Sequence, residues 1–296
     1  MSCVLNHHVD RQVNELGPSF DLVDWDGGRL RVNRQFSRVL QTNGLTTCES
    51  LLNWPHGQVV RQIKSRCTLR IVLPSNAGEQ TFYLKRHRPP RLRERIRPLL
   101  NMSWPILGAR NEWEAILRWH AAGLATVTPV AFGEWRQQSL VMTQDLGTDY
   151  TLLDWVNETA DRRNHSVDSN DPAELLSLKR QIIRRVASIA RQMHACRIYH
   201  QDFYLNHMLW RRDAAELDIR VIDLGRVIQS RARSGRGVIK DLAQLDFSAR
   251  RLSCNDRLRF LRLYLGRPFR PADRWLVRCI ARKSRHIAAH TAKHQL

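Results

Sequence analysis

The stretch YHQDFYLNHMLW, Tyr199–Trp210, sets His200 two residues before Asp202 and a second histidine, His207, five residues after it. Downstream, VIDLGR (Val221–Arg226) places Asp223 at the end of a short β-like run. Two carboxylates on successive strand ends suit a general base and a metal ligand, or they are ordinary loop caps. The surrounding sequence has to choose between these readings.

Working backwards, Asp171-Pro172-Ala173-Glu174 reads as a helix start, with a cap, proline at the first position and an acid in the first turn. The helix is predicted to run to about Cys196, burying Leu178, Ile182, Val186, Ile189 and Met193 at three- and four-residue spacing. Ahead of it, TLLDWVNE opens with Thr151 and Asp154, a capping-box pattern, and the polar ETADRRNHSVDSN reads as a loop. Beyond VIDLGR come a basic loop, a helix from about Lys240 and a basic helical C-terminal segment. The second half is therefore helical.

The first half has a different texture. GQVVRQIKS, CTLRIVLP and QTFYLKRHR are short β-branched and aromatic runs, the last two joined by the turn-forming SNAGE. They predict an antiparallel meander ending at Lys85. ARNEWEAILRWHAAG reads as a helix stopped by Gly123, and VTPVAFGEW and SLVMTQDL as two further strands. Residues 1–55 carry no clear periodicity. The expected domains are 1–145, strands plus one helix after this unassigned extension, and 146–296, helical.

Composition bounds the function class. With 296 residues, 43% hydrophobic content and nine tryptophans, the chain can bury a large core. Forty-eight Lys and Arg against 28 Asp and Glu give a formal charge of +20, which attracts polyanions without choosing among nucleic acid, anionic lipid and phosphorylated ligands. The six cysteines form no C-x-x-C pair, which argues against a zinc ribbon or disulfide framework. Neither a signal-peptide core nor an apolar run long enough to span a bilayer is present, so no spanning helix is expected.

In chain order, Lys85 ends a strand, Glu112 lies on the next helix, Asp202 follows a long helix and Asp223 ends a short strand. A β-rich half followed by a helical half, with these four in this order, resembles the bilobal protein-kinase-like α+β fold. More specifically, LGARNEWEAI, ATVTPVAFGE, MHACRIYHQDFYLNHMLW, IRVIDLGR and KDLAQLDFSA resemble the lipopolysaccharide core kinase family of heptose and Kdo kinases. The similarity covers roughly Phe82 to Ser248.

That resemblance implies an ATP-dependent enzyme phosphorylating a hydroxyl of the lipopolysaccharide inner core, heptose before Kdo, at the cytoplasmic face of the inner membrane. It implies that Lys85 binds the nucleotide phosphates and Glu112 orients it, with Glu114 the local rival. Asp202 would be the acceptor-orienting carboxylate and base, with His200 setting its loop, and Asp223 would bind Mg²⁺. The backbone of Met142, Thr143, Gln144 and Asp145 would meet the adenine, and Asp241 would anchor the catalytic loop as a structural residue.

Two departures from the protein-kinase pattern stand out. His207 occupies the position of a metal-binding asparagine, so it is either a second metal ligand or a packing and hydrogen-bonding residue. Nor is there a Gly-x-Gly-x-x-Gly run, Gly57 being the one glycine in the corresponding strand region.

The basic segments Lys85–Arg97 and Arg274–Leu296 suit an anionic inner-membrane surface and a lipid-linked, phosphorylated sugar acceptor. Arg226, Arg231, Arg233, Arg236 and Lys240 are candidates for an acceptor phosphate. Nucleic acid is disfavoured, since no recognisable module for it is present. The competing readings are a kinase of another small molecule or protein hydroxyl, and a pseudokinase-like basic binding module.

Overall fold

In the computed structural model, the described residues are 20–63, 65–89, 108–164, 172–212, 216–232 and 234–294. The chain divides into two compact units, the first ending at Leu146 and including Leu224–Arg226, the second formed by 147–223 and 227–296.

In the first unit, β1 (Leu22–Trp25), β2 (Leu30–Asn33), α1 (Ser37–Thr42) and α2 (Cys48–Leu52) arise from the segment that shows no periodicity in sequence. The elements β3 (Gln58–Ile63), β4 (Arg66–Ser75), β5 (Gly78–His87), α3 (Arg110–Ala121), β6 (Pro129–Trp135) and β7 (Gln138–Gln144) follow. The seven strands form one antiparallel sheet in the order β1-β2-β6-β7-β5-β4-β3. The meander thus continues two residues past Lys85, because the β4–β5 ladder pairs Arg66 with His87. The basic run from 90 to 97 lies outside the described residues.

Alternation along these strands sorts their side chains between the two faces. Leu84, Met142 and Ala131 are paired neighbours on one face, in a core with Phe36, Leu40 and Leu51 from the α1–α2 region. The next residues, Lys85, Val141 and Phe132, are paired neighbours on the other face. There Trp113 of α3 stacks on Phe132, with ring centroids 5.7 Å apart. Two glycines mark close approaches. A Cβ at Gly133 would meet Cys48 Sγ at 2.7 Å, and Gly57, at φ +132°, lies against Ile71 and the Arg70 carbonyl. Gly57 serves packing. Burial pushes the Cys48 thiol up to about 11, so it is an inert core residue.

The second unit contains α4 (Leu152–Asn164), α5 (Pro172–Ala195), β8 (Ile198–Tyr199), β9 (Met208–Arg211), β10 (Asp218–Val221), β11 (Ile228–Gln229), α6 (Gly235–Ser248), α7 (Cys254–Leu265) and α8 (Arg274–His294). The capping box at its start is present: Thr151 N–H donates to Asp154 Oδ2 at 2.9 Å, and Asp154 N–H to Thr151 Oγ1 at 3.1 Å. Through Asn164 the segment expected to be a loop is helical instead. It continues a helix anchored one turn earlier by buried Trp155 and Val156, and within it buried Thr159 donates its hydroxyl back to the Trp155 carbonyl at 2.7 Å.

Helix α6 starts five residues before the expected Lys240. Ser234 caps it, accepting from Gly237 N–H at 3.0 Å, and a Cβ at Gly237 would strike the buried Tyr199 ring at 2.6 Å. Glycine here permits a close approach and does not signal a loop. Helices α4 to α8 line an apolar cavity of about 230 Å³, with Trp155, Val186, Leu245, Leu261 and Ile280 in its wall. Among the described residues no helix is long and apolar enough to cross a membrane.

His87 at the end of β5 is buried, and burial, with Arg66 and Lys85 nearby, pushes its pKa down to about 4. The unfolded imidazole titrates near 6.5. Folding therefore excludes a proton that the unfolded chain accepts, so this contribution to stability is present above pH 6.5 and is lost as pH falls towards 4. Fully expressed, it amounts to about 3 kcal/mol. Urea unfolding between pH 7 and 4 should show a smaller acid loss for His87→Gln than for the wild type; parallel profiles would contradict this assignment.

Candidate active site

Sheet register delivers Lys85 to the face covered by α3, and there its Nζ lies 2.5 Å from Glu112 Oε1. The lysine side chain is 27% exposed and the glutamate 8%. Glu112 precedes Trp113, so the Trp113–Phe132 stack fixes the helix turn that carries it. Glu114 points elsewhere and pairs with Arg118 at 2.6 Å. The neighbouring Asn111 donates from Nδ2 to the Gly225 carbonyl at 2.7 Å, tying Leu224–Arg226 to this unit.

Met142 and Thr143 are buried within β7, and Gln144 ends it. The Gln144 and Asp145 N–H groups are already bonded, to the carbonyls of Thr128 and Thr81, each at 3.0 Å. The Asp145 carboxylate lies 3.6 Å from Arg70.

In the second unit the loop around Asp202 is held from beneath by α6. The fully buried Asp241 accepts from His200 N–H (2.9 Å) and His194 Nε2 (3.2 Å) through one oxygen, and from Gln201 N–H (2.7 Å) through the other. One turn on, Gln244 accepts from Phe203 N–H at 3.0 Å and donates to the Gln201 carbonyl at 2.7 Å. A further turn along, Ser248 Oγ accepts from Leu205 N–H at 3.1 Å. Spacings of three and four place all three on one helix face.

Under these bonds Gln201 adopts φ +69°, a left-handed conformation costly for a residue with a side chain, directly before Asp202. The sequence reading missed Gln244, Ser248 and His194. For Gln244 and Ser248 the signal was a polar stripe, shared with Asp241, along α6; His194 lies at the end of α5.

His200 is fully buried, and burial holds its pKa below the ordinary histidine value. Its hydrogen bonds fix the tautomer. Nε2–H donates to the Ile222 carbonyl at 3.1 Å, and Nδ1 accepts from Asp202 N–H at 3.3 Å. The neutral imidazole therefore bridges the Asp202 loop to the residue before Asp223.

His207 and Asp223 are brought together by the β9–β10 hairpin. Its ladder runs to Met208↔Val221 and continues through one more bond, Ile222 N–H to the His207 carbonyl at 2.9 Å. Strand β10 thus ends two residues before Asp223, which sits beyond it at φ +58° with a 41% exposed side chain. His207 Nδ1 must donate to the Asp202 carbonyl at 2.8 Å, since a carbonyl only accepts. In the neutral ring this leaves the Nε2 lone pair free, 4.0 Å from Asp223 Oδ2. Lys240 Nζ donates to Gln201 Oε1 at 3.0 Å; Arg233 lies outside the described residues.

Comparisons with known proteins identify the family of the chain. Residues 52–264 match the profile of the lipopolysaccharide kinase (Kdo/WaaP) family. The chain is 36% identical over 225 residues to the lipopolysaccharide core heptose(I) kinase WaaP of Pseudomonas aeruginosa, covering 72% of this chain and 79% of that protein. It is 35% identical over 229 residues to WaaP of Escherichia coli K12, covering 73% and 80%. A solved structure described as WaaP in complex with acyl carrier protein superposes with a TM-score of 0.67 at 32% identity, over 87% of this chain and 98% of that one. The chain belongs to the lipopolysaccharide kinase (Kdo/WaaP) family and is an ATP-dependent phosphotransferase with its kinase-like α+β fold.

Proposed function

We propose that this kinase transfers the γ-phosphoryl group of ATP to a hydroxyl of an inner-core heptose, with Kdo as the alternative acceptor. The observation that carries the catalytic assignment is Asp202 on a loop whose backbone is bonded at four successive N–H-bearing residues, His200 to Phe203, to buried side chains. Preorganisation of this kind suits a carboxylate that must accept a hydrogen bond from a hydroxyl and align it for in-line attack. Lys85, oriented by Glu112, supplies a cation for the nucleotide phosphates. The Gln144 and Asp145 N–H groups are engaged within the first unit, so neither is at hand as a donor to an adenine.

Asp223 and His207 would hold a divalent cation. Mg²⁺ is usually bound through one or two carboxylates together with substrate phosphates and water, a need the partly exposed Asp223 carboxylate fits, with the His207 imidazole as a softer second donor. When bound, the cation would offset charge on the transferred phosphoryl. His207 donating its other ring nitrogen to a backbone carbonyl is the arrangement that orients metal-ligating histidines.

The acceptor would be lipid-linked and phosphorylated, with Lys240 beside the Asp202 loop as a candidate for its phosphate. Acting on such an acceptor, the enzyme would work peripherally on the cytoplasmic face of the inner membrane. A second partner is favoured by one observation: the apolar cavity among α4 to α8 could take the alkyl portion of an acyl group. The acyl carrier protein named for the structural neighbour is accordingly proposed as a partner here.

With labelled ATP, Mg²⁺ and purified inner-core lipopolysaccharide, the wild type should transfer phosphate, and Asp202→Asn should lose about 10²- to 10⁴-fold in kcat with nucleotide affinity unchanged. Nucleotide binding without transfer by the wild type would instead favour another acceptor or the binding-module reading. His207→Ala should weaken Mn²⁺ binding, followed by electron paramagnetic resonance, by about 10- to 100-fold. Unchanged Mn²⁺ affinity would confine His207 to its hydrogen bond with the Asp202 carbonyl.

A further inference from the structure

In the second unit, away from the Asp202 loop in sequence, α5, α7 and the segment after α7 enclose an open concavity of about 610 Å³. Arg180, Arg184, Arg191, Arg259, Arg262 and Arg267 line it, with Leu263 and Pro268 among the few apolar contributors. Arg180, Arg184 and Arg191 fall four and seven residues apart, on one face of α5. Gly266, in the left-handed conformation, ends α7, and the Arg191 guanidinium fills the space where a Cβ would project.

Two of the six cations are balanced. Arg267 pairs with both oxygens of Asp273 at 2.7 Å, and Arg259 lies 3.6 Å from Asp256, which Lys179 shares at 3.0 Å. Among the described residues, Arg180, Arg184, Arg191 and Arg262 make no ion pair. Four such guanidiniums around one concavity repel each other in the free protein, and an anion seated there would relieve that repulsion.

Arginine throughout, with its planar fork of donors, matches the oxygens of a phosphate group. Two exposed aromatic rings follow the lining segment in the chain. Phe269, directly after Pro268, is 41% exposed, and Trp275 at the start of α8 is 63% exposed. The Arg267–Asp273 clamp ties the concavity to the turn preceding Trp275. Phosphate-gripping cations beside exposed aromatic rings suit the headgroup layer of a bilayer, where aromatics settle at the acyl boundary. An acidic protein would need an apolar contact centre that this lining lacks.

We infer that the arginine concavity between α5 and α7 binds lipid phosphates and seats the enzyme on an anionic membrane surface. The inference rests on the peripheral location proposed above and names the residues responsible. Arg184, Arg191 and Arg262 are exposed, so their replacement leaves the core intact.

The test is co-sedimentation of the full chain with phosphatidylcholine vesicles, with and without phosphatidylglycerol. The triple variant Arg184→Gln, Arg191→Gln, Arg262→Gln should bind the anionic vesicles about a hundredfold more weakly, roughly fivefold per cation. A matched triple on α8, Arg278→Gln, Arg282→Gln, Arg285→Gln, should lose less than about tenfold. A lysine triple at the concavity, which keeps the charge and loses the fork, should fall between and serves if the glutamine triple fails to fold.

Equal losses in the two glutamine triples would overturn the inference in favour of diffuse charge. Loss confined to the α8 triple would move the contact there and keep the surface location. Wild type that ignores anionic vesicles would end both readings. A melting temperature raised by pyrophosphate through the concavity, without vesicle binding, would reassign the site to a soluble phosphate.

Discussion

One buried carboxylate organises the loop on which the catalytic assignment depends. Asp241 has no contact with solvent, and its two oxygens accept from two consecutive backbone N–H groups and from His194. Each buried N–H left without a partner costs about 1–3 kcal/mol. The left-handed Gln201 before Asp202 is therefore sustained by bonds that an alternative loop path would forfeit. His194 in turn meets the Tyr264 hydroxyl at 2.9 Å, so α5, α6 and α7 all contribute to one polar network beneath the loop.

The first unit solves a separate problem with a different device. A lysine on a strand is ordinarily a solvated edge charge, and here the sheet supplies the geometry. Leu84 and Met142 are drawn into the core, so Lys85 must emerge on the opposite face, where α3 is seated by Trp113 on Phe132. Glu112 is then at hand, and nearly all of its surface is removed from water. A carboxylate so enclosed requires a cation, and Lys85 provides it. The pair follows from strand alternation plus one aromatic stack.

Much of this was legible because it is local. The Thr151–Asp154 box, the Gly123 stop and the apolar spacing of α5 are patterns within short windows, and the order Lys85, Glu112, Asp202, Asp223 needs only chain order to be read. What was hidden depends on distant partners. Strands β1 and β2 are four residues each, and β2 gains its place by pairing with β6, about a hundred residues away. Gly237 reads as a breaker until Tyr199 is seen packed on it. The ETADRRN segment reads as a loop because its apolar anchors, Trp155 and Val156, lie one turn earlier. Gln244 and Ser248 are unremarkable polar residues unless the loop they bond is known. The arginines of α5 and α7 likewise resemble solvated faces until the helices are packed together.

The central claim is that Asp241 acts through the loop, without touching the reacting atoms. Steady-state phosphate transfer by Asp241→Asn, beside its nucleotide affinity and its circular dichroism, tests this most directly. Asparagine keeps one carbonyl acceptor but cannot serve both N–H groups and His194, so kcat should fall by at least about tenfold while nucleotide affinity and secondary structure hold. Wild-type turnover in a folded Asp241→Asn protein would contradict the account.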